Sequence, residues 1–377
     1  MHPTVRGVIR GFTISRKRFI LPVLGILVAH VVVGLLVYSS LRVGVTFGGR
    51  VLRDHAFSWI YLFSWWDSRY YFEIARNWYP SGLDPVWAFS PLYPEAVRVL
   101  SFLGVDLRIG GFAVAVVCCM ASITVFQRVA EHYMVRTQAL IAALLYFLFP
   151  PVFLFSFVSY PESMFVLLAL LCWYFNEKHS DLNASVAAGL CALSRSEGIL
   201  IIIALLCDYA IQKRTRNIGY VLVPFSAIGG WELYGYVRTG VWFPSLAAQE
   251  YWNTPKAQAV RLAIQKLVTG NLSSVQVLFP YRWLIVAIIA TLAIVAFVAW
   301  RNWKIDRALS IYLIATTVTL ASTFSVAYRS FPRILSFIFP VGLPMHTKKL
   351  ILLGALVLAF MILDYVAWLA FLTDGFY

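Results

Sequence analysis

Apolar runs of membrane-spanning length alternate with short charged segments along almost the whole chain. Residues 19–41, 109–127, 138–157, 162–175, 218–237, 283–300, 308–324 and 350–372 are mostly apolar, and a spanning helix needs roughly 20 such residues. Three further runs, 184–193, 198–211 and 334–345, are short for a crossing. Short or broken helices are tolerated at membrane depth where they line a protein cavity. Together the runs predict about eleven spans in one all-α domain covering residues 1–377. On this alternation, the long or polar stretches 42–108, 238–282 and 325–333 share one side. Two short turns, 159–162 and 194–197, fall on that side as well.

Composition narrows the class further. Hydrophobic residues make up 61% of the 377 and charged residues 13%, with a mean hydropathy of +0.78. A soluble domain carries about 45–50% apolar and about 25% charged residues, so a soluble enzyme, a disordered chain and a collagen-like chain are excluded. Lys and Arg exceed Asp and Glu by 31 to 17. In a membrane protein that surplus reports topology rather than nucleic acid, because Lys and Arg collect on cytoplasmic loops. Every short loop that alternation places inside carries one. Arg6, Arg10, Arg16, Lys17 and Arg18 precede the first apolar run, which is too long for a signal-peptide core and lacks a small-residue cleavage pattern. An uncleaved first span with a cytoplasmic N-terminus is therefore expected. The five cysteines lie in apolar runs without metal-ligand spacing and read as buried thiols.

The unusual polar motifs collect on the outer side. Ser64-Trp65-Trp66-Asp67-Ser68-Arg69-Tyr70-Tyr71-Phe72-Glu73-Ile74-Ala75-Arg76 puts Tyr70, Tyr71, Ile74 and Trp78 on one helical face, which predicts an amphipathic helix in the outer interface. Asp67 is either a carboxylate held at the membrane surface beside aromatic rings or part of a capping box with Ser64. Phe89-Ser90-Pro91-Leu92-Tyr93-Pro94 predicts a rigid non-helical loop, either a connector or a cavity wall. Tyr160-Pro161-Glu162-Ser163 opens a span, where Pro and Glu are favourable in any case. Ser194-Arg195-Ser196-Glu197-Gly198 breaks two short runs with a charged pair. Arg195 either receives a phosphate or pairs internally with Glu197 to hold the bend. Arg329 and Arg333, in Tyr328-Arg329-Ser330-Phe331-Pro332-Arg333, either hold a phosphate or snorkel to the interface. Glu232 sits in an apolar run as a candidate helix–helix hydrogen-bond partner. Trp242-Phe243-Pro244 and Gln249-Glu250-Tyr251-Trp252 are candidate acceptor contacts. The sequence has no P-loop, no G-x-G-x-x-G, no Asp-x-Asp and no His/Cys metal cluster, so no cofactor or metal is expected.

Trp66-Asp67 followed by Tyr71-Phe72-x-Ile74-Ala75, then Phe89-x-Pro91-Leu92-Tyr93-Pro94, resembles the PIG-V family of dolichyl-phosphate-mannose-dependent mannosyltransferases of glycosylphosphatidylinositol assembly. Ser159–Ser163 and Ser194–Gly198 resemble family stretches in the same order, with Glu197 where the pattern carries an amide. The resemblance implies a GT-C fold with its active site on the outer or lumenal face. It implies Asp67 as catalytic base and inversion at the sugar. Arg195, Arg329 and Arg333 are the expected ligands of the donor phosphate. Trp66, Arg69, Tyr71, Pro91, Tyr93, Tyr160, Glu162 and Glu197 are the expected walls of the substrate cavity. The implied partners are a polyprenyl- or dolichyl-phosphate-mannose donor, a glycolipid or lipid-linked glycan acceptor, and membrane lipid, with no nucleic acid. The implied location is the endoplasmic reticulum membrane in a eukaryote or the cell membrane in a prokaryote. A transporter or flippase, and a non-catalytic subunit of a glycosyltransferase complex, are the competing classes.

Overall fold

A computed structural model describes residues 17–43, 45–47, 50–52, 63–64, 66–252, 293, 295–304, 306–327 and 362. The regular structure among the described residues is helical apart from one antiparallel hairpin, β1 (Val45–Phe47) and β2 (Arg50–Leu52), in which Val45 pairs with Leu52. The helices are α1 (Lys17–Val43), α2 (Ser68–Asn77), α3 (Leu92–Phe102), α4 (Leu107–Tyr133), α5 (Arg136–Phe147) and α6 (Pro150–Phe157). They continue with α7 (Glu162–Glu177), α8 (Asp181–Ser194), α9 (Ile199–Ile211), α10 (Leu222–Thr239) and α11 (Arg307–Ala327), with a one-turn helix Pro244–Ala247 between the last two. Among the described residues, α1 and α4 are long and apolar enough to cross a membrane. The α5–α6 pair is a third if it counts as one bent span. The runs expected at 334–345 and 350–372, and most of 283–300, lie outside the described residues.

The run expected at 138–157 is not one straight helix. It bends by 70° between α5 and α6, because Pro150 and Pro151 remove two backbone donors and open the second helix at its first turn. The 89–94 stretch also departs from the expected loop. Pro91 is the N-cap of α3, and Leu92-Tyr93-Pro94 form its first turn. Amides of a first turn have no helical partner, so a proline there loses no bond. The break expected at 194–197 is present as a 3₁₀ turn, Ser196–Gly198, between α8 and α9.

A single large core joins α1, α4, α5, α6, α7, α8 and α9 through residues such as Phe126, Phe153, Phe165 and Trp173. A smaller core of Ile74, Tyr79, Val86, Trp87 and Ala248 joins the 66–91 stretch to α10 and the turn after it, with Trp231 and Tyr234 packed on it. The helices carry two polar layers at opposite ends. One end gathers Asp67, Gly111, Ser159–Glu162 and Ser194–Gly198. The other gathers Tyr133, Trp173, Asn176, Asp181, Asp208, Arg214 and Asp306. Along the chain, α4 and α7 run from the first end to the second, α8 runs back, and α9 leaves the first end again. α7 has 16 residues, a rise of ~24 Å against a hydrocarbon core of ~30 Å.

At the second end, Tyr133 Oη donates to Asp306 Oδ2 at 2.7 Å and accepts from Trp173 Nε1 at 3.1 Å. Burial pushes the Asp306 carboxyl above the usual carboxylate range, against the Leu309 amide and the Tyr133 hydroxyl, which pull it down. A carboxyl raised in the folded state contributes stability that is complete below its ordinary value and lost as pH rises through the raised one. The thermal midpoint should therefore fall more steeply in the wild type than in Asp306→Asn as pH rises from about 4 toward neutrality. Equal slopes would show that Asp306 stays ionised throughout.

Candidate active site

Asp67 is the N-cap of α2. The cap is made by its main chain: the Tyr70 and Tyr71 amides donate to its carbonyl at 2.9 and 3.4 Å. Its carboxylate accepts no capping bond from the first turn of this helix. The carboxylate is half-buried at a helix N-terminus, where the dipole favours negative charge. Trp66, immediately before it, has φ +53, in the left-handed region that a side chain with a Cβ adopts at a cost of roughly 1–2 kcal/mol. The surroundings hold that turn. The Asp67 amide donates to Tyr160 Oη at 3.0 Å, Ser68 Oγ donates to the Ser159 carbonyl at 3.3 Å, and the Ser159 amide donates to the Phe63 carbonyl at 2.7 Å.

Aromatic residues wall this turn. Tyr71 is buried and meets Phe89, Tyr93 and Tyr160 edge-on, with ring centroids 5.1, 5.3 and 5.9 Å apart. Burial pushes the Tyr93 hydroxyl well above its ordinary range. It therefore stays protonated and donates to the Gly111 carbonyl at 2.9 Å, a structural tie rather than an acid–base group. Pro91 is buried beside it at the α3 N-cap. Trp66 packs half-buried against the main core, and Arg69 is exposed, with Nη2 donating to Tyr70 Oη at 2.7 Å and its guanidinium 4.6 Å from the Tyr70 ring. The apolar face expected on α2 exists, but Tyr71, Ile74 and Ala75 are buried against protein.

The Ser159–Glu162 turn is held from behind by the α8–α9 break. Arg195 Nη1 donates to Glu162 Oε1 at 2.7 Å, and Nε and Nη2 donate to the two oxygens of Glu197 at 3.2 and 2.8 Å. The internal pairing set against phosphate binding at this motif is thus present, and it extends to Glu162. Arg329 and Arg333 lie outside the described residues. Gly198 allows the tight break: a Cβ there would overlap the backbone of Cys191 and Ala192. Gly198→Ala should cost about 1–3 kcal/mol as an overpacking change, seen as a lower thermal midpoint. An unchanged midpoint would mean that the break can open without loss. Gly111 has a similar role, since a Cβ would come within 2.8 Å of the Phe72 ring and 3.1 Å of Ser159 Cβ and Tyr93 Oη.

Sequence reading did not single out Trp231 and Tyr234. Tyr234 Oη accepts from Trp78 Nε1 at 2.7 Å, and Trp231 packs on Tyr79 and Trp87. Arg238 Nη2 donates to the Tyr79 carbonyl at 3.1 Å. Of the second outer stretch, Gln249 and Tyr251 donate to the carbonyls of Ala88 and Leu83, and Glu232 accepts from Ser245 Oγ. The aromatic and polar spacing within α10 was the available signal for these contacts. Asp208, inside an apolar run, was the signal for the cluster at the opposite end.

Similarity to known proteins bears on the same residues. The profile of the family described as Mannosyltransferase (PIG-V) matches residues 52–281. A curated relative, GPI mannosyltransferase 2 of Schizosaccharomyces pombe, is 27% identical over 156 residues, 40% of this chain and 32% of that protein. The chain thus matches about a third of the relative's length. Among solved structures, the oligosaccharyltransferase of Archaeoglobus fulgidus overlays with a TM-score of 0.48 at 15% identity, covering 93% of this chain and 53% of that one. The family match takes in the Asp67 turn, the Ser159–Glu162 turn and the Ser194–Gly198 break, and it runs over more than half of the sequence: the chain belongs to the Mannosyltransferase (PIG-V) family.

Proposed function

We propose that the chain is a membrane glycosyltransferase of GT-C architecture with about eleven spans. In this reading it moves mannose from a polyprenyl-phosphate donor to a glycolipid or lipid-linked glycan. The observation that carries the reading is a carboxylate at a helix N-terminus, in a turn walled by aromatic rings. Asp67 removes the proton from an acceptor hydroxyl as that oxygen attacks the anomeric carbon. The carbon–oxygen bond to phosphate breaks with its electron pair, and the polyprenyl phosphate leaves as an anion. No second carboxylate is needed as general acid, in contrast to glycoside hydrolysis. Attack opposite the leaving group inverts the anomeric centre.

Positive groups must stabilise the departing phosphate. With Arg195 engaged by two carboxylates, Arg329 and Arg333 are the proposed phosphate ligands, and Arg69 lines the cavity. The Asp67 end faces the lumen or exterior. Arg128, Arg136, Lys178, Lys213 and Arg214 sit at or beside the opposite polar layer, the cytoplasmic side by the positive-inside rule. The test is transfer of radiolabelled mannose from dolichyl-phosphate-mannose to glycolipid acceptors by the purified protein, with mass spectrometry of the lipid-linked product. Solute counterflow in proteoliposomes without transfer would overturn the enzyme reading in favour of a transporter.

A further inference from the structure

Arg195 is placed between two acidic side chains. Its side chain is 14% exposed, that of Glu162 is 2% and that of Glu197 is 15%. Three of the guanidinium's donors are already taken by the two carboxylates. Stability does not explain this arrangement, since a buried ion group is often no better than apolar residues of the same volume. What the triad does fix is position. Glu162 is the first residue of α7, next to the turn whose Tyr160 hydroxyl and Ser159 carbonyl hold the Asp67 amide and the Ser68 hydroxyl. The same turn reaches Phe63 through the Ser159 amide. Asp67 and the strained Trp66 are therefore gripped on both sides by a turn that Arg195 ties to the α8–α9 break.

We propose that Arg195 is a positioning residue for Asp67, acting through Glu162 and the Ser159–Glu162 turn, with Tyr160 Oη as the contact that holds the Asp67 main chain. The proposal rests on Asp67 as the base. A misplacement of about 1 Å at a reacting group costs on the order of 10²-fold in rate, so a loose turn reads out in kcat. A phosphate ligand would instead read out in the donor KM.

The test uses the full chain in lipid nanodiscs, with Arg195→Lys, Tyr160→Phe and their double variant, and Glu73→Gln on the exposed face of α2 as control. Arg195→Lys keeps the charge and loses the fork. Tyr160→Phe keeps the ring and loses the acceptor. Hydrogen exchange of the 63–71 peptide should quicken by ~10-fold in both single variants, equivalent to ~1.4 kcal/mol of local opening, and stay unchanged in the control. With dolichyl-phosphate-mannose, kcat should fall ~10-fold with the donor KM within ~2-fold, and the double variant should be no worse than the poorer single one, because both act through one turn. Unchanged exchange at 63–71 in Arg195→Lys would overturn the proposal. So would a raised donor KM at full kcat, which would make Arg195 a phosphate ligand. Asp67→Ala in the same assay separates the two levels: full turnover there removes the base assignment, while the exchange data still decide whether the turn is held from Arg195.

Discussion

Replacing Asp67 by Ala should lower mannose transfer by about 10²–10⁴-fold, the range for a lost general base, with little change in thermal midpoint. The two halves of that expectation have separate origins. The rate falls because the hydroxyls beside Asp67, those of Ser68 and Tyr160, are too weakly basic to replace a carboxylate as proton acceptor. The midpoint holds because the carboxylate takes no bond from the first-turn amides of α2. A capping aspartate would cost about 0.5–2 kcal/mol on removal, whereas here the main-chain bonds to Tyr70 and Tyr71 survive the substitution. Asp67→Asn sharpens the test, since the amide keeps size and polarity but cannot take a proton, and it should be as slow as Asp67→Ala. Turnover near the wild-type value in either purified variant would remove Asp67 from the chemistry.

Arg214→Ala should have the largest effect on stability, about 3–5 kcal/mol, the cost of leaving buried charges without their partner. Arg214 donates to Asp181 Oδ1 at 2.6 Å, to Asp208 Oδ2 and to Asn176 Oδ1, so it joins α7, α8 and α9 at one point. Asp181 and Asp208 are both buried. Without the guanidinium, Asp208 keeps Gln212 and Asn176, and Asp181 keeps Asn217, as neutral donors. That compensates in part and holds the effect below the cost of two bare carboxylates. Combining Arg214→Met with Asp181→Asn and Asp208→Asn should restore most of the lost midpoint, because it removes the unpaired charges along with the partner. Thermal unfolding in detergent measures both. If Arg214→Ala left the midpoint unchanged, the cluster would be wet and loosely held. The donor KM should not move in any of these variants, since the cluster lies at the end of the bundle away from Asp67.

Much of this was legible in the chain itself. The 162–175 and 198–211 runs correspond to α7 and α9 within a residue or two, because apolar helices of that length have few alternatives in a membrane. The break at 194–197 was legible because Ser, Arg, Ser and Glu interrupt two apolar runs. The 70° bend was missed, although Pro150-Pro151 sits at it. Prolines are tolerated inside membrane helices, so a pair marks a weak point without setting the angle. The expected non-helical loop at 89–94 holds for 89–91 and fails for Leu92-Tyr93-Pro94, since prolines at the start of a helix are permitted as readily as in a loop. At the site, the Tyr160 and Glu162 motif could be marked but not its partners. Tyr160 meets Asp67 across 93 positions of sequence, and Arg195 meets Glu162 across 33.

The sequence by itself determined the class: a basic, strongly apolar chain with helical runs of span length, and an ordered set of polar motifs that carries the family resemblance. These follow from local composition and the cost of exposing backbone to lipid. Only the tertiary structure decided which side chains meet. It closed Arg195 between Glu162 and Glu197, tied the Asp67 main chain to Tyr160, and buried Tyr71, Ile74 and Ala75 of α2 against protein. Such choices depend on how helices far apart in sequence pack, and a charged side chain's role is set by the partner that packing brings within about 3 Å of it.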